Sequence, residues 1–148
     1  MPDAYTTALM LLSARELSEA QLRTRLTRRQ LDPDEIESTI QKLHHDGTLS
    51  DRRVALAAAR MESTIRHRGR TRVLQKLRQL GIDGSTAESA VNEVFEEVDE
   101  TALLDRAFER RLRGQSPRDL DEKARARMVR GLAAQGFAIE AILKRLRS

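Results

Sequence analysis

Three histidines, His44, His45 and His67, are the only imidazoles in the sequence, and there is no cysteine. Disulfides and thiolate metal sites are therefore excluded, and nucleophilic catalysis would fall to Ser, Thr or Lys. Neighbours on a helix diverge by roughly 100°, so His44 and His45 cannot both face one ion. Near Gly47 they read as helix C-terminal residues interacting with the dipole. Ser18, Ser85 and Ser116 read as helix caps rather than nucleophiles. Gly69, Gly81, Gly84 and Gly136 do not form a phosphate-cradling loop, because no strand precedes them. Glu96, Glu97, Asp99 and Glu100 could offer oxygens to a hard cation but lack the spacing of a calcium loop. No catalytic, metal-binding or cofactor-binding constellation is found.

The basic residues are the better candidates. Of 27 Lys and Arg, 23 are Arg, the side chain suited to bidentate contact with phosphate or carboxylate. Arg60, Arg66, Arg68, Arg70, Arg72, Lys76 and Arg78 converge on the turn at Gly69 and the helix beyond it. Arg72 and Lys76 share a face, which leaves Val73 and Leu77 on the buried one. Further on, Arg106, Arg110 and Arg113 fall at i, i+4 and i+7 as a basic stripe, with Arg125, Arg127 and Arg130 on a later helix. Such an array could track a phosphate backbone with little sequence preference, or dock on an acidic protein surface. With three Phe, one Tyr and no Trp, a platform that stacks bases on aromatic rings is disfavoured.

The net charge of +4 hides strong segregation. Residues 1–51 carry net −3, residues 52–78 net +8, residues 79–105 net −8 and residues 106–148 net +7. These blocks suit a protein that lays basic surface on a polyanion and keeps an acidic face for something else. Apolar residues make up 39% of 148, enough for a core. The apolar run Ala8–Leu12 is far shorter than the ~20 residues of a membrane span, and no basic n-region precedes it. A soluble cytoplasmic protein with no membrane association is expected.

The elements that must carry these residues are all helices. Ser18 with Gln21 and Ser85 with Glu88 read as capping boxes, and Asp32-Pro33 opens a helix with Pro at its first position. Asp51 is a predicted N-cap, Gly47 a C-terminal stop, and Ser116-Pro117 opens another segment. Apolar spacings of three and four recur throughout, and no alternating strand pattern does. Leu22, Leu26, Leu31, Ile36, Ile40 and Leu43 define intervals of 4, 5, 5, 4 and 3. The same intervals from Val73 land on Leu77, Ile82, Ala87, Val91 and Val94, and from Met128 on Leu132, Phe137, Ile142 and Leu146. Each copy is one helix, a tight turn and a second helix whose apolar stripe returns on the first. Another amphipathic helix precedes each copy: Ala4–Ala14, about 52–66 and about 101–112. The chain is thus read as all-α, three tandem three-helix, helix-turn-helix-like repeats over 1–50, 51–98 and 99–148. Modules this small should stack into an elongated, curved array.

At this level of detail the sequence resembles the RecX family of recombination regulators. The resemblance rests on Ala8–Leu12, Arg15, Ser18-Glu19 and Leu22–Leu26, then Ile36, Ile40 and Leu43, then Gly47–Asp51 leading into Arg53 and Ala55. It continues through Arg60, Gly69–Ile82, Leu132, Gly136-Phe137 and Ile142. Val54 stands where that family commonly carries an aromatic residue, which thins the second module's core. The resemblance implies a non-enzymatic protein that binds RecA and its filament on single-stranded DNA, limiting filament extension, ATP hydrolysis, strand exchange and co-protease activity in the SOS response. It implies no cofactor, and a monomer is the simplest expectation. The basic residues named above are then the polyanion-facing set, with possible contact to single-stranded DNA. An independent helical nucleic-acid-binding protein is the alternative, and a helical adaptor for another protein a third.

Overall fold

The computed structural model describes residues 2–148. The helices are α1 (Ala4–Ala14), α2 (Glu19–Arg28), α3 (Pro33–His45), α4 (Asp51–Arg60), α5 (Arg70–Gln79), α6 (Gly84–Glu97), α7 (Glu100–Leu112), α8 (Glu122–Ala134) and α9 (Ile139–Arg147). A single π-helical turn, Met61–Ile65, extends α4, and a 3₁₀ turn at Pro117–Asp119 precedes α8. Among the described residues there is no strand, and no helix is long and apolar enough to cross a membrane.

Side-chain caps set most of the helix starts. Ser18 and Gln21 form the reciprocal capping box expected of them, and Asp32 accepts from the Glu35 amide with Pro33 at the first helical position. Two expectations are corrected. The second box does not form: Asp83, not Ser85, caps α6, because its carboxylate accepts from both the amide and the hydroxyl of Thr86. Those bonds hold the Asp83 carboxyl below its ordinary pKa. Ser50 rather than Asp51 caps α4, which frees the Asp51 carboxylate for the neighbouring module. Ser116-Pro117 opens only the 3₁₀ turn, and Asp121 caps α8.

Three hydrophobic clusters form, one within each set of three helices. Leu17, Leu22, Leu26, Ile40 and Leu43 centre the first, Val73, Leu77, Val91 and Val94 the second, and Phe108, Leu132 and Ile142 the third. Every position of the interval pattern is buried except Leu31, which is half-buried. The second cluster is built from small side chains, with Ala55, Ala59, Ala87 and Ala90 around Val54, consistent with an absent aromatic. Phe95 and Val98 pack on both the second and third clusters, so α6 hands the core on to α7.

The joints between modules repeat as the modules do. Ser18, the N-cap of α2, donates its hydroxyl to the Leu80 carbonyl at 2.5 Å, on the turn between α5 and α6. Gly69, the N-cap of α5, donates its amide to the Gln135 carbonyl at 2.9 Å, on the turn between α8 and α9. In both joints the start of a module's second helix meets the following module's turn. Those turns need left-handed backbone at equivalent places: Gln30, Gly81 and Gly136 have φ of 61°, 79° and 107°. Glycine is required at the two that sit in joints, because a Cβ on Gly81 would strike Ala20 and one on Gly136 would strike Arg72. No described module packs this way on the turn carrying Gln30, and there a side chain is accommodated.

Hydrogen bonds join the first module to the second and the second to the third, and among the described residues none joins the first to the third. The accessible surface is 9340 Å², against about 7,700 Å² for a compact monomer of this mass. The excess is that of a tandem array whose modules touch only at narrow joints. Ser18 serves as cap and joint at once and is fully buried. Ser18→Ala is expected to cost about 2 kcal/mol, from a lost N-cap and an orphaned carbonyl. A thermal melt showing a change below about 0.5 kcal/mol would remove the joint role.

Candidate nucleic-acid interface

The arginines fall into two groups according to whether a carboxylate neutralises them. Arg60 makes a forked contact with Glu97, at 3.2 and 3.4 Å, which raises the guanidinium pKa above its ordinary value. Arg66 pairs at 3.3 Å with Glu62, whose carboxylate is buried in the π turn. Arg23, Arg52, Arg53 and Arg145 are likewise paired, with Glu19 and Glu37, Glu93, Glu16, and Asp105 respectively. Such residues have their charge met inside the molecule, and an external anion must compete for it. Arg60 and Arg66 therefore leave the front rank of the sequence-based candidates.

On α5 the charge is unmet. Arg70 donates to the Asn92 amide oxygen and lies over the Phe95 ring at 5.4 Å, and Arg72 donates to Gln75. Both partners are neutral, so the positive charge stays available while its position is held. Lys76 lies one turn further along the same helix, with no ion pair among the described residues. Arg68 is half-buried beside the joint, its Nε without a hydrogen-bond partner.

The densest convergence is an open cleft of about 730 Å³ where the third module meets the second. Arg106, Arg110, Arg111 and Arg113 enter it from α7 and its end, and Arg127 from α8. No Asp or Glu lines it, and among the described residues none of these five guanidiniums has a carboxylate partner. The floor is apolar, from Ala107, Leu120, Ala124 and Met128. His67 closes the second-module side, with Nδ1 buried and unpartnered. Both His67 and Arg113 adopt left-handed backbone, at φ 57° and 51°, a conformation costing a non-glycine residue roughly 1–2 kcal/mol.

Gln135 ties these parts together. Its side chain donates to the His67 carbonyl at 2.8 Å and accepts from Arg111 at 3.4 Å, while its own carbonyl holds Gly69. Gly131, in the interior of α8, leaves the space that the Arg111 guanidinium occupies.

Of the residues predicted from sequence, Arg106, Arg110, Arg113 and Arg127 are brought together here. Arg125 is spent on the loop, donating to the Pro117 and Leu120 carbonyls, and Arg130 is exposed outside the cleft. Sequence reasoning missed Arg111, His67 and Gln135. A glycine in mid-helix, Gly131, was the available signal, since it weakens a helix unless its missing side chain makes room. No group of three potential metal ligands exists among the described residues.

Fold and surface together define a tandem three-helix-repeat protein with a concentrated basic cleft. Residues 4–43 match the family model for the first three-helix domain of RecX. The regulatory protein RecX of Syntrophotalea carbinolica is 33% identical over 136 residues, covering 92% of this chain and 89% of that protein. The regulatory protein RecX of Pseudomonas entomophila is 36% identical over 142 residues, with 92% and 84% covered. The crystal structure of RecX from Lactobacillus salivarius superposes with a TM-score of 0.84 at 21% identity, over 97% of this chain and 94% of that one. The chain belongs to the RecX family of regulatory proteins.

Proposed function

We propose that this protein is a non-enzymatic modulator of RecA, binding RecA and its filament on single-stranded DNA and limiting filament extension, ATPase, strand exchange and co-protease activity. Similarity to regulatory RecX proteins along nearly the whole chain carries this reading. The arrangement of charge supports it: a tandem array with arginines unmatched by carboxylates on α5 and in the cleft suits an elongated polyanionic assembly. The modules are taken as 1–50, 51–98 and 99–148, acting as a monomer in the cytoplasm.

Electron microscopy of RecA filaments on single-stranded DNA tests the reading. Filaments grown with equimolar protein should be shorter than those grown without it. An unchanged length distribution, with the added protein folded, would sink the proposal. The cleft also favours a second reading, an independent nucleic-acid-binding protein. That reading would require tight binding to a preferred duplex sequence without RecA.

A further inference from the structure

We propose that the cleft between the second and third modules is a discrete binding site for one nucleotide unit, its phosphate held by Arg110, Arg111 and Arg127 and its ring on the apolar floor. This refines the polyanion-facing role of the same residues, and it stands or falls without RecA. A merely solvated basic face would spread its arginines and would not converge them on a cavity. Here five converge on a volume suited to a nucleotide-sized ligand, with no carboxylate to relieve their mutual repulsion. An oxyanion supplies that relief and accepts the guanidinium donors in pairs.

Two further features fit a built site. His67 lines the cleft in strained left-handed backbone, and its Nδ1, buried behind the cleft surface, has no protein partner. Gly131 gives up helix propensity in the middle of α8, and the space it leaves is filled by Arg111, which Gln135 then orients. Apolar Ala107, Leu120 and Met128 beneath charged groups match a ligand with a flat ring and an anionic end. The same chemistry is offered by a polynucleotide strand and by a free nucleoside triphosphate.

Calorimetric titration in the absence of RecA, with a thymidine oligonucleotide, with ATP and with inorganic tripolyphosphate, tests the proposal. At least one nucleotide probe should bind more tightly than tripolyphosphate. Preference for the oligonucleotide assigns the site to a strand, and competition by ATP assigns it to free nucleotide. Arg111→Gln with Arg127→Gln should weaken binding at least tenfold and lower the salt slope for the oligonucleotide by about 1.4. Arg15→Gln with Arg28→Gln removes the same charge from the first module and should change affinity less than twofold. Gly131→Ala is the variant that folding cannot explain away: alanine favours the helix, yet it should displace Arg111 and weaken binding without lowering the melting temperature. Equal losses from the cleft pair and the first-module pair would overturn the proposal in favour of diffuse electrostatics. Absence of binding by every probe would overturn it as well, and would leave the RecA reading standing.

Discussion

Gly136→Ala is expected to open the joint between the second and third modules. At φ 107° an alanine is strained, at a cost of about 1–3 kcal/mol. Its Cβ would also lie 2.5 Å from the Arg72 Cβ, 2.7 Å from the Arg72 amide nitrogen and 2.7 Å from the Gly69 carbonyl oxygen. Two of these are backbone atoms that cannot rotate away, so overpacking adds about another 1–3 kcal/mol. The structure can escape only by separating the turn between α8 and α9 from the start of α5. Hydrogen exchange should report this at two amides, Gly69 and Thr71, which donate to the carbonyls of Gln135 and Gly136. Gly47→Ala supplies the comparison, because Gly47 also has positive φ but a Cβ there meets nothing within 4 Å. It should show the strain without the clash and leave both amides protected. Unchanged protection of Gly69 and Thr71 in Gly136→Ala would refute the assigned joint.

Charge reversal in the cleft should have the largest effect on function. Arg110→Glu with Arg127→Glu removes two cations that no carboxylate of the protein neutralises and puts anions in their place. If each makes one charge-assisted contact with the filament, worth about 1.5–3 kcal/mol, inhibition of RecA should weaken by at least about a hundredfold. Neutralising Arg60 by Gln should change inhibition only about threefold, since its charge is already met by Glu97. Inhibition curves with the paired wild-type and variant proteins measure both effects. Equal sensitivity at Arg60 and in the cleft would show that net charge, rather than the division into met and unmet arginines, governs the interaction.

The fold was legible because the apolar periodicity of each helix, and the turn between the paired helices, are set by local spacing along the sequence. The intervals that place Leu22, Val73 and Met128 in register describe one helix, one turn and one return, and all three are buried. Leu31 departs from the pattern because its turn lacks the neighbour that covers the equivalent turns at Gly81 and Gly136. The α6 start was misread where two caps competed two residues apart, and the carboxylate of Asp83, with two Thr86 donors, prevailed over the Ser85 hydroxyl.

The site was only partly legible. The i, i+4 spacing of Arg106 and Arg110 is helical and puts them on one side of α7, whereas Arg113 lies past the helix end in left-handed backbone and reaches the cleft from that cap. Which arginines are neutralised depends on contacts such as Arg60 with Glu97 and Arg66 with Glu62, and those follow from how helices pack and turns close. His67 enters the cleft only because Gly69 and Gln135 lock the two modules together. No local pattern around His67 encodes that bond across 68 residues.

The decisive experiment on RecA modulation is RecA-dependent ATP hydrolysis on single-stranded DNA, titrated with the folded wild-type protein at physiological salt. Hydrolysis should fall progressively and be strongly suppressed by equimolar protein. Hydrolysis that stays at the protein-free rate throughout the titration would contradict it.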